Sequence, residues 1–175
     1  MAASVNELPS FSGCVQPDIP GLEDSNALKA GFKVEVEGTE LWTLTNEKGY
    51  FSIPTISLDP FTQYTVKISK QGYLSLTTGY LSGGNYLYST GKSPITIWGG
   101  DIPVNGVQDG AINMADIMEM AKYFNTTTKD ARFNKYCDLN MDGVINMSDV
   151  VIIARLFNNT IEDYSHVELI KTQIK

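Results

Sequence analysis

The sequence predicts two domains in one 175-residue chain: a two-sheet β-sandwich, then an all-α unit of two loop–helix repeats. Three observations carry this. Apolar and polar residues alternate with a period of two over short segments between Ala30 and Trp98. After Gly99-Gly100 the apolar spacing becomes that of a helix. Within that second stretch Asp109–Asp116 recurs, 33 residues on, as Asp142–Asp149, and short internal repeats mean stacked units sharing one core.

The elements follow in order. Residues 1–30 are mixed, with Pro9, Pro17 and Pro20, and the first nine or so read as linker. Phe32, Val34 and Val36 alternate with Lys33, Glu35 and Glu37, a strand with one apolar face. Leu41–Thr45 is a second strand, Asn46-Glu47-Lys48-Gly49 a turn, and Tyr50–Ile53 the return, limited by Pro54. Tyr64–Ile68 alternates again, Gly83-Gly84 and Gly91 punctuate later strands, and Pro94–Trp98 closes the series. In the second half Ile117, Met120 and Phe124 fall at i, i+3 and i+7, as do Val150, Ile153 and Phe157, predicting helices over Met114–Phe124 and Met147–Phe157. Thr127–Tyr136 is expected to form a short linking helix, and the polar residues after Asn159 to fray. The units are therefore 1–98, 99–160 and a tail, 161–175.

Composition excludes several functions. Hydrophobic residues make up 42% and charged residues 19%, so the chain can fill a core. A net charge of −7 argues against nucleic acid, which is met by a basic face. No apolar run approaches the ~20 residues that span a bilayer. Met1-Ala2-Ala3-Ser4 lacks a basic start and an apolar core, and reads as the edge of a piece of a larger protein. Two cysteines, Cys14 and Cys137, and one histidine, His166, make neither a four-ligand zinc site nor a catalytic triad held on rigid elements; whether the cysteines bond to each other stays open. The chain is therefore expected not to be an enzyme.

The repeat carries the chemistry. In Asp138-Leu139-Asn140-Met141-Asp142-Gly143, continuing to Asp149, side-chain oxygens fall at loop positions 1, 3, 5, 9 and 12: Asp138, Asn140, Asp142, Asn146 and Asp149. Gly143 stands at the sharp turn, and the Val144 carbonyl supplies the position-7 oxygen. This is the EF-hand calcium-loop pattern, with Asp for the usual Glu at position 12. Calcium is a hard cation that takes six to eight oxygens, and alternate residues of a tight loop point inward to supply them. The first copy offers Asn105, Asp109, Ala111 (carbonyl), Asn113 and Asp116, with Val107 lacking an oxygen at position 3. Two readings of its first ligand stay open: Asn105 in register, or Asp101 with a lengthened loop. Either way fewer charged ligands predict weaker binding there. A strand and a turn, not a helix, precede this loop.

Two such loops, each followed by a helix, resemble the dockerin module of cellulosomes, on Gly100-Asp101-Ile102, Asp109–Asn125 and Asp138–Asn158. Upstream, Lys29–Val34, Gly38–Leu41, Asn46–Phe51 and Ile68–Tyr73 look like the X-module that precedes type II dockerins in scaffoldins, and are similar to Ig-like, carboxypeptidase-regulatory-like sandwich domains. The resemblance implies two calcium ions and a cohesin partner on another scaffoldin or a cell-surface anchoring protein. It also implies an extracellular, cell-surface-associated setting in plant-cell-wall degradation. Carried over from the family, the partner-binding positions are Met114, Ala115, Ala121, Lys122 and Thr126, then Met147, Ser148, Ala154, Arg155 and Asn159. Met118 and Val151 extend the same helical face, opposite Ile117, Met120 and Phe124. The competing reading buries these methionines in the core. Two other functions compete: an EF-hand-type calcium sensor or buffer, and an accessory carbohydrate-binding module.

Overall fold

The computed structural model describes residues 10–59, 62–79, 86–87, 91, 93–166 and 172–173. The expected linker at 1–9 and the Gly83-Gly84 punctuation lie outside the described residues.

The first half builds two sheets. Strands β2 (Lys33–Val36), β3 (Trp42–Leu44), β5 (Thr65–Lys70) and β6 (Tyr73–Gly79) form an antiparallel sheet in the order β3-β2-β5-β6. The other sheet centres on β1 (Ser10–Pro17). It pairs antiparallel with β4 (Tyr50–Pro54) and parallel with β7 (Tyr86–Leu87) and β8 (Ile95–Ile97); β9 (Thr172–Gln173) adds to β7. The period-two pattern sets which side faces in: Val34 and Val36, Phe51 and Ile53, Val66 and Ile68 are buried, their neighbours are not. Strand β1 was read as irregular chain. Its buried run Gly13-Cys14-Val15 hides the alternation, because consecutive residues of a strand point to opposite faces and here both faces are covered. A four-residue helix, α1 (Asn26–Lys29), was also unforeseen.

The second half overturns the expected fold class. Its two helices, α2 (Met114–Ala121) and α3 (Met147–Arg155), are only eight and nine residues long. Turns occupy Thr127–Tyr136 where a linking helix was expected. Isolated β-bridges, Ala111 with Thr160 and Thr127 with Val144, tie the loops together. The molecule is mostly β, and an all-β domain followed by an all-α domain does not describe it. The physical reason is that each loop spends its residues on side-chain-to-backbone bonds within the loop, which compete with helix. Nor do the halves keep separate cores. Ile102, Ile112, Cys137, Leu139 and Ile153 belong to the same buried cluster as Phe11, Phe32, Val34 and Tyr73. At the junction Gly99 lies beside the side chains of Ile152 and Tyr73.

The C-terminal segment does not fray at Asn159. A 3-10 helix, Ile161–His166, sets Tyr164 into the core. Its ring stacks on Trp98 with centroids 4.2 Å apart, and its hydroxyl donates to the Leu74 carbonyl. Cys14 and Cys137 are buried and are not joined in a disulfide.

The turn at Asn46–Gly49 forms as predicted, with Asn46 Oδ1 accepting from the N–H groups of Lys48 and Tyr50. Gly49 has φ +82°, and a Cβ there would sit 2.2 Å from the Val15 carbonyl oxygen, which belongs to β1. Gly49→Ala should therefore lower the unfolding free energy by about 2–3 kcal/mol, read from the midpoint of urea denaturation; an unshifted midpoint would show that the turn and β1 do not meet in solution.

Candidate functional site

Both loops are cinched by one carboxylate each. In the second, Asp149 Oδ1 accepts the Leu139 N–H (2.8 Å) and Oδ2 accepts the Asn146 N–H (2.9 Å). In the first, Asp116 Oδ1 accepts the Ile102 N–H (2.6 Å) and Oδ2 the Asn113 N–H (2.7 Å). Position 12 thus joins the start of its loop to the helix entrance. Asn113 and Asn146 are the N-caps: each side-chain oxygen accepts from the N–H two residues on, completing a capping box with Asp116 and Asp149. The position-5 carboxylates match too, Asp109 accepting from Ala111 N–H (3.0 Å) and Asp142 from Val144 N–H (2.9 Å).

These correspondences align the two loops by contact. Asp138 accepts from the N–H groups of Asp142 and Gly143. The backbone groups of Asp109 and Gly110 stand in the same relation to Asp101. Asp101 is therefore the structural counterpart of Asp138, four residues further from its loop glycine. The extra residues fold on themselves: Val104 and Val107 exchange both backbone bonds, closing a two-residue turn with Asn105 at φ 52° and Gly106 at φ 83°. Both central residues have positive φ, as a tight hairpin turn requires. Asn105 is exposed at the turn tip, while Asp101 is 1% exposed and its Oδ1 has no hydrogen-bond partner among the described residues.

The donors are all oxygens, and burial has gathered the acids among them. Asp101, Asp116, Asp138 and Asp149 are buried. Desolvation is the first cause that raises each of these four carboxyls above the usual range; Asp101, also repelled by Asp116 and Asp109, is pushed up to about 7. A divalent cation would relieve that penalty, and the unpartnered Asp101 oxygen is a free ligand for it, so the residues fit calcium. Among the described residues no three carboxylate, thiol or imidazole groups stand close enough to hold an ion unaided. The amide oxygens of Asn140, Asn146 and Asn113 and the carbonyls of Val144 and Ala111 must complete the sets.

The helices present the other candidate surface. Met114, Met118, Met147 and Val151 are 56%, 64%, 60% and 56% exposed. Ala115, Ala121, Lys122, Ser148, Ala154 and Arg155 are exposed beside them, so the reading that buries the methionines fails. Met120 and Ile153 are buried on the opposite side. Thr126 is buried and Asn159 half-buried, which removes Thr126 from the exposed face. The cations are already engaged: Lys122 pairs with Glu119 (2.5 Å) and Arg155 with Asp18 (2.6 Å). Asp18 was not foreseen. It begins a segment whose Ile19, Pro20 and Leu22 face Met147 and Val151 across a groove of about 490 Å³. Pro17 and Pro20 mark that segment as stiff chain, but nothing in its pattern points at α3.

Residues 104–158 match a family model described as the dockerin type I domain. Cellulosomal-scaffolding proteins B and A of Acetivibrio thermocellus are each 37% identical over 131 residues, 74% of this chain. The chain spans only 16% and 7% of those relatives. Two crystal structures of a type II cohesin–X-dockerin complex from Acetivibrio cellulolyticus, an N-terminal and a C-terminal interface mutant, align at TM-scores of 0.79 and 0.78. Both are 40% identical, and both alignments cover 89% of this chain and 99% of the other.

Carboxyls held above their unfolded values make the metal-free fold lose stability as pH rises, because the folded state binds more protons than the unfolded one in that interval. With chelator present, the melting temperature should fall between pH 5 and pH 8, the upper end following Asp101. Calcium should flatten that slope. A chelated protein that gains stability over the same range would contradict the burial of these acids.

Proposed function

Because this chain belongs to the X-module–dockerin family of scaffoldins, we propose that it is a calcium-dependent cohesin-binding module. It anchors a scaffoldin or enzyme into a cellulosome or onto a bacterial cell surface. The observation that carries the proposal is the pairing of two cinched oxygen loops with exposed apolar side chains on the helix that follows each, Met114 and Met118 on α2 and Met147 and Val151 on α3. Dockerins are calcium-binding modules, and we assign two ions here. Asp138, Asn140, Asp142, the Val144 carbonyl, Asn146 and Asp149 hold the second. Asp101, Asp109, the Ala111 carbonyl, Asn113 and Asp116 hold the first. Asp101 replaces Asn105 in this assignment because its backbone neighbours Asp109 and Gly110 are the counterparts of Asp142 and Gly143 around Asp138, whereas Asn105 sits at the tip of the inserted turn. When bound, calcium neutralises the gathered carboxylates; the chain's own residues do the rest, fixing both helix entrances through Asp116 and Asp149.

Residues 99–160 form the docking part and residues 1–98 brace it, with 161–175 as the tail. Met114, Ala115, Met118, Ala121 and Lys122 meet the partner with Met147, Ser148, Val151, Ala154 and Arg155. Methionine and small residues suit a partner surface that is itself apolar and flat. The related scaffolding proteins are structural, non-catalytic modules, and we extend that to this chain: it does no chemistry, and it works outside the cell as part of a larger secreted protein. Strand β8, not a helix, precedes the first loop, which leaves no entering helix to swing as in a calcium sensor.

Titration calorimetry against a panel of type II cohesins tests the reading. Binding should occur in calcium and disappear in EDTA. Met147→Asp should weaken it at least tenfold while leaving calcium uptake intact. Affinity that survives EDTA, or that ignores Met147→Asp, would reject the reading.

A further inference from the structure

We infer that Tyr73 and Gln108 are positioning residues through which the sheet half sets the geometry of both calcium loops. The inference rests on the ion assignment above and deepens it.

Tyr73 opens β6 and is buried, its ring edge-on to Phe32 at 5.2 Å. Two different atoms of this residue reach the two loops. Its hydroxyl donates to the Leu139 carbonyl (3.2 Å), at position 2 of the second loop. Leu139 is also the residue whose N–H binds Asp149. The Tyr73 carbonyl accepts from Gln108 Nε2 (2.8 Å), and the same nitrogen donates to the Asp101 carbonyl (2.7 Å). One amide thus ties the first ion-facing residue of the first loop to the strand.

Main-chain bonds hold the junction behind it. Gly100 N–H donates to Gly72 carbonyl and Leu74 N–H to Trp98 carbonyl, so Asp101 follows directly from a registered pair of strands. The brace follows directly on the inserted turn Val104–Val107. Gln108 lies immediately before Asp109, whereas the residue before Asp142 is Met141, exposed at the loop rim. The longer first loop has more chain entropy to lose and carries a side chain that limits it. The shorter second loop has the Tyr73 hydroxyl instead. Asp101 Oδ1, buried and unpartnered, can serve an ion only where its backbone is held, which is the task Gln108 performs.

The test uses the full chain, calcium titration by calorimetry, and thermal melting with and without calcium. Gln108→Met keeps the length and removes both donors; Tyr73→Phe keeps the ring and removes the hydroxyl. Gln108→Met should weaken one calcium affinity roughly tenfold, the loss expected from two neutral hydrogen bonds. That affinity should be the one abolished by Asp109→Ala. Tyr73→Phe should weaken the other, the one abolished by Asp142→Ala, by roughly fivefold. Unchanged affinities in both variants, or melting temperatures lowered equally with and without calcium, would overturn the inference as a plain stability effect. A defect in Gln108→Met alone would overturn the shared role of Tyr73. Wild-type chain that takes up no calcium would instead sink the ion assignment itself.

Discussion

A carboxylate at the last position of each loop bears the structure of the second half. Asp116 and Asp149 each accept one N–H from the loop's start and one from the helix cap. Remove either and three things loosen together: the loop's closure, the helix entrance and the side chains that the helix presents. Such bonds to a charged acceptor are about twice as strong as neutral ones. They also gather negative charge in a buried place, where burial resists ionisation. The arrangement is therefore poised for a cation, and its requirement for one follows from how it closes.

The two loop–helix units brace each other in a crossed manner. The chain after α2 runs back along the second loop: Asn125 N–H donates to Ile145 carbonyl and Ile145 N–H to Thr126 carbonyl. The chain after α3 does the same to the first loop, with Asn158 N–H donating to Ile112 carbonyl and Ile112 N–H to Asn159 carbonyl. Asn125 and Asn158 make each turn with φ 61° and 69°, the left-handed geometry that asparagine tolerates. Thr127 with Asp130 and Thr160 with Asp163 then repeat one side-chain clasp. Each helix is too short to persist alone; held at both ends by the other unit, it keeps its methionines outward.

How much of this could be read in the residues differed by region. The closed form of the second loop was legible because five oxygens, a glycine and an aliphatic residue coincide at fixed spacing. The helix face was legible in part: a 3.6 period sets Met118 opposite Met120, but the spacing left open a burial of Met114, Met118 and Met147 that their exposure rules out. The all-α second half was a misreading: apolar spacing marked helices beginning at Met114 and Met147, but backbone-binding Asn, Asp and Thr claim the rest of the chain as turns. Strand β1 stayed hidden because burial on both faces erases alternation. Asp101 could be suspected but not chosen, since only its contact with the backbone of Asp109 and Gly110 marks it as the counterpart of Asp138. Asp18, Tyr73 and Gln108 act across long sequence separations, and no local pattern announces them.

The most direct test of the account is anomalous diffraction from calcium-loaded crystals of the whole chain. The account places one ion in each loop. The first should lie within about 2.3–2.6 Å of Asp101 Oδ1 and Asp109, with Asn105 remote from it. An ion held by Asn105, or a stretch from Asp138 to Asp149 that stays vacant in saturating calcium, would contradict it.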